Sequence, residues 1–329
     1  MNDNTMIHHQ STLSRRRLLG GAAAAAALTM MPRGILGTAR AQGMGKPNSN
    51  FGGVQIGAIT YSFRSLPGSA HDVLKHVTQC GINSIELMGG PVEQFAGAPS
   101  GGGRPRRQMT AEQRQDLQKQ QDALLDWRLS APMDKFRELR KLYNDAGVDI
   151  HIVKFGSIGN GGMPDGEIDY YFKVARALGA RGITRELSEE AAKRLGPFAD
   201  RHEIMIGFHN HTQLKPTTYD GPILSHGKYL GINLDIGHYV AGTNESPIPL
   251  IEKFHDRILS LHIKDRKVNN GPNMPFGQGD TPVALVLQLM KRRQWTFPAD
   301  IELEYRIPDG SDAVAETTKC VQFCRDALA

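Results

Sequence analysis

The chain has 329 residues, 40% of them hydrophobic, 22% charged and 7% aromatic, enough apolar material for a sizeable core, which excludes a disordered chain. Its 36 Gly and 18 Pro follow no short period, so collagen-like and solenoid architectures are excluded as well. The formal charge of +5 sits mostly at the start: the first 41 residues carry five Arg against one Asp, and the remaining 34 basic and 33 acidic residues give no electrostatic ground for a nucleic-acid partner.

In chain order, the first feature is Ser14-Arg15-Arg16-Arg17-Leu18-Leu19 ahead of an alanine-rich apolar stretch from Leu18 to Met31, with Ala39-Arg40-Ala41 offering small residues for cleavage before Gln42. This is an export signature. The arginine pair and weakly hydrophobic run resemble a twin-arginine signal, whose machinery carries proteins already folded. The run is shorter than the roughly 20 residues that span a bilayer, so no stable membrane anchor is expected. The expected organisation is a signal over residues 1–41, a linker over 42–50 and one domain over 51–329. The mature protein is expected outside the cytoplasm, in the periplasm where the source has two membranes.

From Val54 onward, short β-rich runs alternate with longer segments of helical periodicity, the pattern of a parallel sheet with crossover helices. Strands are expected near Val54–Tyr61, Asn83–Met88, Asp149–Phe155, Gly182–Arg185, Ile204–His209, Gly231–Ile236, Ile258–Ile263 and Asp300–Tyr305. Helices are expected at Ser69–Cys80, Pro132–Ala146, Asp169–Leu178, Ser188–Arg201, briefly near Gly221–Leu224, then Pro247–Phe254, Pro282–Arg293 and Ala313–Ala327. Eight such units predict a single (β/α)8 TIM barrel. The rival, a doubly wound open sheet, would normally carry a G-x-G-x-x-G or Walker sequence after an early strand, and none is present. Between Gly90 and Pro132 an insertion after strand two joins a Gly/Pro/Arg-rich loop over residues 101–107 to a Gln-rich helical stretch, Thr110–Trp127. Its position over the barrel mouth suits a lid, a contact between copies in a homo-oligomer, or a solvated decoration. Cys80, Cys320 and Cys324 are too few for a disulfide framework and read as packing residues.

Four consecutive expected strands end in metal-ligand residue types: Phe208-His209-Asn210-His211, Leu234-Asp235-Ile236-Gly237-His238, Leu261-His262-Ile263-Lys264-Asp265 and Ile301-Glu302-Leu303-Glu304-Tyr305. A barrel gathers the C-terminal ends of its strands around one mouth, so these groups converge on one divalent cation. Mixed imidazole and carboxylate donors suit Mn²⁺, Zn²⁺, Co²⁺ or Fe²⁺, and Mg²⁺ less well. His209, Asp235, His262 and Glu304 are the expected ligands, Glu304 being preferred to Glu302 because it lies nearer the end of its strand. Glu186, at the end of strand four, offers a further carboxylate. Glu86 is expected to reach the mouth, touching substrate or pairing with Lys154. Lys264 would hold a substrate oxygen or polarise a carbonyl.

With these residues in place, the chain resembles the xylose-isomerase-like TIM-barrel superfamily of sugar epimerases, hydroxypyruvate isomerases, inosose dehydratases and endonuclease-IV-type enzymes. Asp235-x-x-His238 is similar to that family's strand-six motif, His262 to its strand-seven ligand and Glu304 to its strand-eight carboxylate. On strand five, where many members carry Glu, His209-Asn210-His211 is similar to a His-Asn-His branch of sugar isomerases. The resemblance implies a sugar or keto-sugar substrate contacted by Asn210 and His238. It also implies proton abstraction beside a carbonyl by Glu304 with a divalent ion stabilising the enediolate, and the strand-end positions of Glu186 and His211 offer either as the partner on the opposite side. The same apparatus runs β-elimination in a lyase or dehydratase. A non-catalytic carbohydrate-binding barrel is the remaining alternative.

Overall fold

Eight short parallel strands carry the structure: β1 Val54–Ile59, β2 Ser84–Met88, β3 Asp149–Lys154, β4 Gly182–Glu186, β5 Met205–His209, β6 Leu230–Asp235, β7 Ile258–Ile263 and β8 Ala299–Ile301. Each pairs with its sequence neighbours, and β1 pairs with both β2 and β8, so the sheet closes into a ring. The computed structural model describes residues 45–101 and 109–329. The expected signal segment and the loop arginines Arg104, Arg106 and Arg107 lie outside the described residues. Among the described residues, no helix is long and apolar enough to cross a membrane.

Strand residues alternate between an apolar outer face and a polar inner one, as the pleat requires. Ile85, Leu87, Ile206, Phe208, Ile232, Leu234, Leu261 and Ile263 are buried on the outer face. The inner face is polar: Glu86 on β2 meets His262 on β7, and His151 on β3 meets Asp300 on β8. These pairs join strands that are not neighbours, so their side chains run through the middle of the ring. Each buried polar group would be costly without a partner, which is why the column is so extensively hydrogen-bonded. Two register irregularities adjust it. Ile150 faces Ile85 and Ile152 faces Glu86, leaving His151 as an extra residue whose ring bonds Ser84 Oγ and Asp300 Oδ2 at 2.8 and 3.0 Å. Leu259 is the corresponding extra residue on β7. Space at the floor is tight: a Cβ on Gly57 would lie 2.0 Å from Asp300 Oδ1, and one on Gly182 2.4 Å from Leu259 Cδ2.

The helices are α1 Ala70–Gln79, α2 Gly89–Phe95, α3 Ala111–Ser130, α4 Asp134–Asp145, α5 Asp165–Leu178, α6 Glu189–His202, α7 Ile236–Thr243, α8 Ile248–Phe254, α9 Val283–Arg293 and α10 Ala313–Ala327. Ser69 and Asp72 form a capping box on α1, and Thr110 and Gln113 form another on α3. Helix α5 begins a turn earlier than expected, directly after Pro164. Helix α7 was not expected at all, and Gly221–Leu224 holds only a single 3₁₀ turn, Pro222–Leu224, preceded by another at Thr218–Asp220. The segment expected as a linker up to Asn50 is tied to the barrel: Ser49 is fully buried on Asn83, and Asn50–Phe51 adds an antiparallel strand outside the ring. The expected strand eight stops at Ile301 instead of Tyr305. Past that point, Ser62 Oγ takes Leu303 N–H at 2.9 Å and Arg64 donates to Leu303 O at 2.7 Å, so β1-side groups replace the ladder.

Candidate active site and cation site

Asp235 stands where β6 runs directly into α7. It is the N-cap of α7, its Oδ1 accepting the His238 N–H at 2.7 Å, which explains the Asp-x-x-His spacing by helix-capping geometry. Its other oxygen, Oδ2, is buried and meets the Lys264 ammonium as an ion pair at 3.0 Å. His209, Asp235, His262 and Glu302 come from the ends of β5 to β8 and place one ligand atom each within 4.8 Å of all the others. All four are buried.

The carboxylate that β8 contributes to this group is Glu302, not the expected Glu304. The ladder ends at Ile301, but Glu302 still donates its N–H to Ile263 O at 3.1 Å, which holds it on the inward face at ligand height. Glu304 shares that parity one step higher, at the rim, where it receives Lys264 Nζ at 2.6 Å and lies 3.8 Å from His238 Nε2. Lys264 is buried in the cluster, its ammonium 3.0 Å from both Asp235 Oδ2 and Glu302 Oε2. Burial disfavours its charge, yet Asp235, Glu302 and Glu304 together hold its pKa above the usual lysine range.

The electrostatics of the column follow from these contacts. Burial opposes ionisation of His262, but Glu86 at 2.8 Å on Nε2 and Glu302 at 3.0 Å on Nδ1 outweigh it and push its pKa up to about 10. Burial raises Asp235 to about 6 despite the neighbouring ammonium. Burial and Lys264 push His238 down to about 3, and burial with Lys154 lowers His209 well below the ordinary imidazole value. A cation, the Lys264 ammonium, is thus already lodged between the inward carboxylates of Asp235 and Glu302. Two imidazoles with two carboxylates fit a divalent transition-metal ion. A neighbouring group, His209, His211 and His238, shares one of these ligands.

Above the quartet opens a cavity of about 1080 Å³ whose wall includes Lys154, Arg185, Glu186, His211 and Glu304, with Gln121 of α3 at its edge. Helix α3 therefore does reach the mouth. Glu186 receives His211 Nε2 at 2.9 Å and lies 3.3 Å from Lys154 Nζ. Burial opposes its charge, but these two partners hold its pKa down to about 2, and the same contact raises that of His211.

Two expected substrate contacts are placed elsewhere. Glu86 has no exposure. It accepts Thr184 Oγ1–H at 2.5 Å and His262, while Lys154 faces Glu186 instead. Asn210 is also fully buried: its Oδ1 accepts the Asp235 backbone N–H at 2.9 Å and its Nδ2 donates to the Asp235 carbonyl at 3.2 Å, so it fixes the end of β6 instead of facing the mouth. Conversely, Asn233 and Arg266 were not foreseen. Asn233 lies two residues before Asp235, hence on the same face, and that parity was the available signal. Arg266 bonds His238 Nδ1 at 2.6 Å from a two-residue strand that no periodicity announced.

Ligand-type residues gathered at the C-terminal mouth of a (β/α)8 barrel define a TIM-barrel enzyme architecture with a candidate cation site. The profile of the xylose isomerase-like TIM barrel family matches residues 77–324, and the chain belongs to that family. No curated protein matches the chain. Among solved structures, it is similar to a probable 3-DHS dehydratase involved in petrobactin synthesis from Bacillus anthracis, at 14% identity and TM-score 0.56, covering 82% of this chain and 99% of that one. It is also similar to a 3-keto-D-glucoside 4-epimerase from E. coli, at 12% identity and TM-score 0.55 over 82% and 100% of the two chains. A sugar phosphate isomerase/epimerase from Parabacteroides distasonis aligns at 17% identity and TM-score 0.52 over 82% and 93%. At these identities the likeness establishes the fold.

Proposed function

We propose that the protein is an exported, divalent-cation-dependent isomerase or epimerase that removes a proton beside the carbonyl of a sugar. The observation that carries this reading is the buried quartet His209, Asp235, His262 and Glu302 beneath an open cavity, with further proton-exchanging groups on the cavity wall. The quartet would hold the cation. When bound, such an ion supplies Lewis acidity to adjacent carbonyl and hydroxyl oxygens. Glu304, half in and half out of the mouth, accepts the carbon-bound proton, and Lys264 at 2.6 Å fixes the place of its carboxylate. The Glu186–His211 pair returns a proton from the wall. His238 lies between these groups: its ring centre is 4.8 Å from that of His211, and its Nε2 is 3.8 Å from Glu304, so it is placed to orient a substrate hydroxyl.

A lyase or dehydratase begins with the same proton abstraction, and the family resemblance to a named dehydratase supports that second outcome. Two measurements test the reading. Protein purified without chelator should contain stoichiometric divalent metal, and NMR in deuterated solvent should show exchange at the carbon beside the carbonyl of a keto-sugar. Asp235→Ala should lose metal and exchange together, and Glu304→Gln should lose exchange while keeping metal. Metal-free wild type with undiminished activity in Asp235→Ala would sink the proposal. Loss of water or an aglycone in the same spectra would select the lyase outcome.

A further inference from the structure

We propose that Asn233, anchored by Glu86, is a positioning residue that fixes His209 in the tautomer whose Nε2 carries the free lone pair. The inference rests on the cation site proposed above. Asn233 is fully buried on β6, with its Oδ1 2.7 Å from His209 Nδ1 and its Nδ2 2.6 Å from Ser260 Oγ and 3.5 Å from Glu86 Oε2. A carboxylate only accepts hydrogen bonds, so the amide must present its NH₂ to Glu86; turning it over would set two acceptor oxygens against each other. Oδ1 therefore faces His209. An amide oxygen also only accepts, so His209 Nδ1 carries the hydrogen and Nε2 is left bare.

Glu86 is itself held by the Thr184 hydroxyl at 2.5 Å, and it takes His262 Nε2–H at 2.8 Å. One buried carboxylate thus orients both histidines of the quartet. His262 is held directly, with Nδ1 on the Glu302 side. His209 is held through Asn233, with Nε2 as its free nitrogen. Holding the non-ligating nitrogen in this way fixes ring orientation, and loss of such a partner typically weakens metal binding about 10–100-fold.

The test uses the full chain labelled with ¹⁵N-histidine. Long-range ¹H–¹⁵N spectra of the metal-free protein read the His209 tautomer, and Zn²⁺ titration reads affinity. Wild type should show His209 protonated at Nδ1. Asn233→Ala should shift it toward the Nε2–H form and weaken Zn²⁺ binding about 10–100-fold. Wild type protonated at Nε2 overturns the inference, as does Asn233→Ala with unchanged tautomer and affinity. If Asn233→Ala does not fold, the wild-type tautomer alone decides. Wild type that binds no Zn²⁺ defeats the cation reading itself, whereas wild type that binds Zn²⁺ with Asn233→Ala unmoved defeats only the role of Asn233.

Discussion

At Gly57, the polar column presses on the backbone of β1, the strand beside Asp300. A methyl group there would meet Asp300 Oδ1 at 2.0 Å and Ser84 O at 2.9 Å, and Asp300 cannot retreat because His151 holds its other oxygen. Gly57→Ala is expected to destabilise the fold by about 1–3 kcal/mol, the usual cost of overpacking, read as a lower urea midpoint. An unchanged midpoint would mean that Asp300 has another place to go. The same scale shows what the sequence could reveal. His209, Asp235 and His262 each end an apolar run, where a polar side chain needs a special reason, and they were legible as a spatial group. Glu302 and Glu304 share parity, so the choice between them depends on where the ladder stops, and that is set by Ser62 and Arg64, distant in sequence. Asn210 shows the opposite limit: a polar residue beside a ligand can serve the backbone alone.

Helix α3 has no buried residue of its own, so propensity and capping account for its being a helix but not for its place. Arg128 supplies the attachment, reaching Glu93 of α2 at 2.8 Å and Glu167 of α5 at 2.7 Å, while Trp127 packs edge-on against Phe136 and Tyr170. Arg128→Ala leaves two largely buried carboxylates without their cation. The expected loss is about 1–3 kcal/mol, below that of a fully buried pair because some exposure remains. Hydrogen exchange should accelerate across 111–130; unaltered exchange would show that ring packing alone seats the helix. Helix α10 has a comparable tether in Glu316, which accepts from Tyr305 at 2.8 Å, Ser311 at 2.5 Å and Lys319 at 2.6 Å. Burial opposes its charge, but these donors hold its pKa below the usual glutamate value. The stabilisation is therefore complete above the unfolded glutamate pKa near 4.3 and lost as pH falls through the lowered folded value. Glu316→Gln should flatten that part of the stability–pH curve, and a curve parallel to wild type would refute the assignment. Helix α7 escaped the sequence reading because its N-cap is also a strand end, so one residue carried two signals.

For the whole molecule, the alternation of strands and helices was enough to read a closed eight-stranded barrel, since only the ring buries every strand on both faces without a free edge. The depth and polarity of its axis were not legible: cross-strand partners such as Glu86 and His262 lie 176 residues apart. The export proposal belongs to this scale because a twin-arginine route would carry the barrel already folded. Replacing Arg15 and Arg16 by Lys should leave folded protein in the cytoplasm, whereas undiminished export would point to another route. Lys264 bears on the order of those events. Its ammonium gives the acidic basin an internal counterion before any metal arrives, so chain collapse need not wait for a visitor to neutralise it. A metal loaded as proposed would take over from this ammonium as the counterion of Asp235 and Glu302, one positive guest traded for another inside a finished shell.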